Sequence, residues 1–419
     1  MQLQTSVLLS MWIAGLALAS GLASRSSTEP SAVGDLDVKI REWDVPTKGA
    51  HPHDPAVAPD GSLWFTEQMV SKLGRLDPAT GDFKEYPLKG KNDGPHGLVA
   101  DSDGNIWYTG NFAAHIGKLN PRSGEVTQYK MPDAKAEDPH TAVFDAHGTL
   151  WFTVQVGNMV GRLDPKTGKI ELKVVPTKDA RPYGIQINSK GVPFFCEFGT
   201  NKLARIDISK TEPKTMQIVE YPLPEGVRPR RLAIAADDKV YFTDYQSGNL
   251  GRLDPASGTA KLWPSPGGAG SDPYGITITP DGMVWYSESG VTPNTLIRFN
   301  PKTEEFAGAK IPSGGGTVRN MAATSDSRAT PLTSHHPARN VVNHSLPEKL
   351  YSTDLPSGRS QKHGERKSGK VRKECPNSGT SERRKTRTED LCSSKGAIVA
   401  ALHVADDVAS PMPSNHGHM

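Results

Sequence analysis

The sequence predicts an all-β fold, a seven-bladed β-propeller built from four-stranded blades, and three observations carry that reading. Aromatic residues recur at Trp64, Trp107, Trp151, Phe194, Tyr241 and Trp285, with spacings of 43, 44, 43, 47 and 44. A proline stands 12 positions ahead of each, at Pro52, Pro95, Pro139, Pro182, Pro229 and Pro273. Within each interval lie short alternating apolar runs divided by tight turns. A period in the low forties with four strands per repeat is the pattern of a propeller blade.

The stretch from Gly94 to Pro132 shows the unit most cleanly. GLVA forms a first strand, and Asp103-Gly104 supplies the positive backbone angles of a hairpin turn. NIWYT alternates and carries the aromatics that suit a pleated, half-buried surface. HIGKLNP is the third strand, Pro121 and Gly124 punctuate the next turn, and EVTQYKMP is the fourth. The recurring Trp residues pack blade against blade and need no catalytic explanation. Gly-Arg-Leu-Asp-Pro, repeated at 74–78, 161–165 and 251–255, is a third strand entering its turn.

In chain order, residues 1–24 hold an apolar run from Val7 to Ala19 followed by small residues. This matches a cleaved secretory signal, although no basic residue precedes Arg25, and implies a periplasmic or extracellular location. Residues 25–37 read as a linker. VKIREWDVP, from Val38 to Pro46, matches the fourth strands at Lys84–Pro87 and Val219–Pro222. A fourth strand placed before the first full repeat closes the ring from the N-terminus and removes exposed sheet edges. Six full repeats follow, and a seventh opens at Thr317–Ala322, so the propeller is assigned to 38–326. The expected marker aromatic near Thr330 is missing. Residues 327–419, rich in Ser, Lys, Arg, His and Pro, read as a disordered extension or an out-of-frame tail. GAIVAALHVA near residue 400 is too short to span a membrane.

Composition excludes several function classes. The net charge of +3 is too small for a nucleic-acid partner, and the tail holds the basic excess, with about 15 basic against 10 acidic residues after Ala323. Three cysteines, Cys196, Cys375 and Cys392, make no disulfide framework, and Cys196 reads as a buried thiol beside the blade core. The Gly267–Gly270 run lacks the strand–helix setting of a phosphate loop. Neither a Ser-His-Asp triad nor a Cys/His zinc pattern is present.

The chemistry is expected where first strands begin and second strands end, since these antiparallel neighbours meet on one face near the central channel. The residue after each proline and the residue 14 further on give His53 with Glu67, His96 with Gly110, His140 with Val154, Tyr183 with Glu197, Arg230 with Asp244 and Tyr274 with Glu288. Arg319 is the seventh. Such residues are seldom buried unless paired. They form a polar funnel with histidines on one side and acids on the other, suited to general acid–base chemistry, to holding a divalent ion, or simply to satisfying strand ends around a wet channel. His51 and His147 read as solvated loop residues, and His115 has no evident partner.

Pro273-Tyr274-Gly275-Ile276, Trp285-Tyr286-Ser287-Glu288 and Asn249-Leu250-Gly251-Arg252-Leu253-Asp254 resemble the streptogramin B lyase family, also called virginiamycin B lyase. The resemblance covers roughly 38–326. It implies a magnesium-dependent elimination that opens a cyclic depsipeptide antibiotic at its ester, with a small-molecule partner and a monomeric enzyme. It also implies one histidine after the proline of one blade, then an acid-Pro-His triplet and a glutamate 14 beyond in the next. Carried over, His96 and Asp138-Pro139-His140 match with Asp for Glu, and the fourth position is Val154. His53 and Glu67 supply another His–Glu pair, preceded by His51 and not by an acid. The candidate catalytic residues are therefore His96, His140, Asp138, His53 and Glu67. The rival readings are a calcium-dependent lactonase using Glu197, Asp244 and Glu288 as metal ligands, and a non-catalytic exported propeller.

Overall fold

The computed structural model describes residues 31–207 and 217–323 and the strands Lys349–Asp354 and Ala397–His403. The expected signal at 1–24, Cys375 and Cys392 lie outside the described residues. Six blades are built from consecutive strands. Blade 1 comprises Pro52–Val57, Leu63–Glu67, Lys72–Leu76 and Phe83–Pro87 in antiparallel order. The first strands of blades 2 to 6 are Pro95–Ala100, Pro139–Phe144, Pro182–Ile187, Pro229–Ile234 and Pro273–Ile278. The marker aromatics at Trp64, Trp107, Phe194, Tyr241 and Trp285 are 1–2 % exposed and Trp151 5 %. The turn residue ahead of each tryptophan often holds its indole: Trp107 Nε1 donates to Asp101 at 2.8 Å and Trp151 Nε1 to Asp145 at 2.8 Å.

Three departures from the sequence reading concern the ends of the chain. Val33–Asp35, assigned to the linker, pairs in parallel with Phe306–Gly308 and adds a fifth strand to blade 6. Lys39–Asp44 lies at the edge of a further four-stranded sheet whose inner strand is Thr317–Ala323. Its two middle strands come from the segment read as a tail, Ala397–His403 beside the inner strand and Lys349–Asp354 next to the N-terminal one. Their chain order is inverted relative to the other blades, which is why a search in register near Thr330 finds nothing. AIVAALH is a short apolar run of the kind a doubly covered strand needs.

A repeated hydrogen-bond belt joins the blades. In each of the six, the register slips between the proline and the residue three further on, leaving two residues bulged. The amide freed by the bulge donates to the hydroxyl of the second strand: Asp54 N to Thr66, Gly97 N to Thr109, Thr141 N to Thr153, Arg231 N to Thr243 and Gly275 N to Ser287, at 2.7–3.3 Å. The same hydroxyl donates to a carbonyl of the next blade, those of His96, His140, Tyr183, Tyr274 and Val318, at 2.6–3.1 Å. Blade 4 has Cys196 in this place, a buried free thiol that burial pushes well above its ordinary value.

A second device ties fourth strands to the connection before them. Glu85 accepts from Thr47 N at 3.0 Å and Thr47 Oγ1 at 2.7 Å, with Lys72 Nζ at 2.6 Å. Glu220, Thr177 and Lys202 repeat the arrangement. Glu42 does the same to Ser313, just past the end of blade 6. Blade 2 substitutes Gln128 for the glutamate, Asp93 for the threonine and His115 for the lysine. His115, without a partner in the sequence, is thus a buried member of a structural triad.

Candidate active site

Two layers of side chains fill one end of the channel. The outer layer holds the residues that follow the prolines. His53 and His96 have ring centroids 3.6 Å apart, His96 and His140 3.8 Å, and His140 and Tyr183 3.8 Å. Tyr183 and Tyr274 share a hydrogen bond between their hydroxyls. The Arg230 guanidinium lies against four rings, 3.8 Å from Tyr274, 4.1 Å from Tyr245, 4.8 Å from Phe198 and 5.3 Å from Tyr183. The funnel expected from the sequence is therefore a packed stack, with His53, His96 and His140 only 2–4 % exposed.

The inner layer comes from the next residue along each first strand. Arg231 crosses the channel to Asp54, Nη2 to Oδ1 at 2.7 Å and Nη1 to Oδ2 at 3.2 Å, and Nη1 also reaches Thr141 Oγ1 at 3.0 Å. Gly97 holds this position in blade 2, where a Cβ would stand 2.3 Å from the His140 carbonyl. The close approach of neighbouring first strands requires glycine there. Beyond this layer the channel opens into a cavity of about 390 Å³ lined by Asp54, Thr141, Asn320 and the apolar ends of the first strands.

The hydrogen bonds fix the histidine tautomers. His96 Nδ1 lies 3.2 Å from the His140 carbonyl, which can only accept, so Nδ1 carries the proton and Nε2 the lone pair. His53 Nδ1 lies 2.9 Å from Asp54 Oδ1, with the same consequence. Burial holds all three histidines well below the ordinary imidazole value. The neighbouring histidine adds to it at His53 and His140, and Arg231 and Arg319 act on all three. They are neutral bases at neutral pH.

The acids named from the sequence do not converge. Asp138 sits at the rim in a left-handed conformation, φ 62°, bonded to Asn111 Nδ2, and burial pushes its carboxyl up to about 7. Glu67 ends the second strand of blade 1 opposite Pro52 and is fully buried. Asp244 accepts from Arg228 N at 2.9 Å, Ser247 N at 3.2 Å and Asn249 Nδ2 at 2.7 Å, which caps its own turn. Glu288 is held by Ser265, Thr295 and Gly267 N. Glu197, pushed up to about 7 by burial and by Glu220 beside it, bonds Thr200 at 3.2 Å. The three acids serve three separate turns and form no shared cage. Val154 is fully buried, with no group to offer.

The donor set also does not fit magnesium or calcium. Among the described residues, the metal-ligating atoms that gather within 4.8 Å of one another belong to His53, Asp54 and His96. Magnesium demands near-octahedral oxygen ligands and calcium six to eight oxygens. Here one carboxylate is available, and both its oxygens already hold Arg231. Asp54, Thr141, Arg231 and the belt hydroxyls were not singled out by sequence. The slip of register at the bulge falls in the P-x-x that opens each first strand, and that is the signal that marks the inner layer.

A family model described as the virginiamycin B lyase family matches residues 27–291. The chain belongs to the virginiamycin B lyase family. Selenomethionine-substituted virginiamycin B lyase from Staphylococcus aureus is a similar structure, with 22% identity and a TM-score of 0.65 over 76% of this chain and 99% of that one. A streptogramin B lyase structure gives 22% and 0.64 over 75% and 98%. A catalytically inactive histidine-to-alanine variant of the Staphylococcus aureus enzyme, with quinupristin, gives 22% and 0.63 over 75% and 99%. At that identity the likeness shows the fold, an all-β propeller of four-stranded blades. No curated protein matches the sequence. Among the described residues no helix is long and apolar enough to cross a membrane.

Proposed function

We propose that the protein is a carbon–oxygen lyase that opens a cyclic ester by elimination. The observation that carries this reading is the His96 tautomer. The His140 carbonyl fixes the proton on Nδ1 and leaves a neutral Nε2 lone pair, and burial keeps it unprotonated. That is what a base needs in order to take a proton α to a carbonyl. The Cα–H electron pair becomes the new C=C bond, the C–O bond to the ester oxygen breaks, and the acyl half leaves as a carboxylate. His140, stacked on His96, and His53, oriented by Asp54, hold the base in place. Asp138, at the rim with its carboxyl pushed up to about 7 by burial, is assigned to hydrogen-bond the departing carboxylate in its protonated form.

The same reading takes the sheet of Lys39–Asp44, Lys349–Asp354, Ala397–His403 and Thr317–Ala323 as a seventh blade, closed from the N-terminus. It also takes residues 1–24 as an export signal and the enzyme as a monomer. The hydrolase alternative is supported less, because Glu197, Asp244 and Glu288 each serve their own turn. Incubation with a streptogramin B depsipeptide, followed by liquid chromatography and mass spectrometry, tests the proposal. Elimination gives a linear product isomeric with the substrate, and His96→Gln lowers turnover by about 10²- to 10⁴-fold. A product heavier by one water identifies a hydrolase, and no product with a folded protein rejects the enzyme reading.

A further inference from the structure

Charge at the channel mouth runs opposite to what a cation site needs. Arg230, Arg231 and Arg319 bring three guanidiniums into two adjacent layers, and Asp54 is paired with Arg231. All three arginines act on His96 and on His140. The Nε–H of each is buried and finds no acceptor among the described residues. A buried donor left so costs about 1–3 kcal/mol. Arg231 itself is only 3 % exposed. Arg230 and Arg319 occupy the ring positions on either side of Tyr274, and both are only partly buried. The Tyr274 phenol reports the same field: burial would raise it, yet Arg230, Arg319 and Arg231 hold it below its ordinary value. The aromatic cage that elsewhere would take a ligand cation is filled by Arg230.

We propose that this mouth is an oxyanion site that takes a carboxylate or phosphate group between Arg319 and Arg230, beside Tyr274. Guanidinium forks are matched to such groups, and a site with a net cationic excess lowers the desolvation cost of an entering anion. The inference rests on the arginines and not on the lyase reading. If the chain is a lyase, the carboxylate released by elimination is one such group, and the guanidiniums do for it what a metal would otherwise do.

Thermal unfolding of the full chain in inorganic phosphate, against chloride at matched ionic strength, tests the site. Wild type is expected to show a saturable rise in midpoint with phosphate. Arg319→Gln, confirmed as folded by circular dichroism, should lose at least half of that rise. Asp54→Asn, which removes the countercharge of Arg231, should enlarge it, whereas a cation site would be weakened by the same change. Magnesium chloride should shift nothing beyond sodium chloride. The proposal fails if phosphate gives no saturable rise, if Arg319→Gln responds as wild type does, or if Asp54→Asn diminishes the response. Turnover measured on the same samples separates the two readings, since an inactive protein that keeps the phosphate response leaves this site standing.

Discussion

Each histidine of the stack is a base held neutral by burial, and that has a pH consequence. Their folded-state values lie below the unfolded value of about 6.5, so the unfolded chain binds more protons between the two. Stability is full above about 6.5 and falls as pH drops below it. Urea unfolding at a series of pH values should show this acid limb, and His140→Gln should make it shallower. Kinetic activity that depends on neutral His96 should persist below the usual histidine range and then fall at the depressed value. At the same scale, Asp54→Ala strands Arg231 in the channel, and breaking a buried pair in this way costs about 3–5 kcal/mol. Arg231→Met together with Asp54→Leu should recover most of that loss. The outer ring was legible in the sequence because His53, His96, His140, Tyr183, Arg230, Tyr274 and Arg319 stand at one offset from a repeated marker. What they do there was not. Asp54, Thr141 and Arg231 are ordinary strand residues until the bulge turns them inward, and the acids at the ends of second strands were diverted to turns by donors that are distant in sequence, such as Arg228 N and Ser265.

Elements are tied together by side chains that the repeat pattern shows only as letters. The residue two after each marker aromatic is Thr in four blades and Ser in a fifth, a visible recurrence, yet its hydroxyl acts only because the bulged amide and the next blade's carbonyl flank it. Blade 4 offers the control. Cys196 fills the place but donates weakly, so Cys196→Thr is expected to complete the belt and stabilise the fold by about 1 kcal/mol, checked by denaturant unfolding. A loss of stability would show that Leu203 and the Phe194 cluster leave no room for the second methyl branch. The glutamate ties make a second test. Glu85→Ala, Glu220→Ala and Glu42→Ala break equivalent arrangements around Thr47, Thr177 and Ser313, so their costs should agree to within about a factor of 2, near 1–3 kcal/mol each. Blade 2 reached the same end with Asp93, Gln128 and His115. No pattern in the sequence reveals that substitution, because all three residues change together.

The ring as a whole stands or falls on its last sheet, where the chain departs most from its own repeat. Six blades were readable because each is contiguous and each aromatic keeps its distance from a proline. The further sheet draws strands from four places, Lys39–Asp44, Thr317–Ala323, Lys349–Asp354 and Ala397–His403, and the last two enter in inverted order. Periodicity carries no information about pairing at such separations. The tie between Glu42 and Ser313 lets the contribution of the N-terminal strand be measured apart from the rest. Removing residues 1–44 deletes that strand and the parallel Val33–Asp35, leaving blade 6 and the strand Lys349–Asp354 with new edges. If the N-terminal strand closes the ring, this truncation should lower the unfolding midpoint far more than Glu42→Ala does, and the newly exposed edges should bring association at higher protein concentration, read by light scattering. The His96 site lies in blade 2, two blades from that seam, so the truncated protein should lose activity only at temperatures where it unfolds. A truncated chain as stable as the full one would mean that Lys39–Asp44 merely decorates an edge and that the ring is held shut by the strands that follow residue 317.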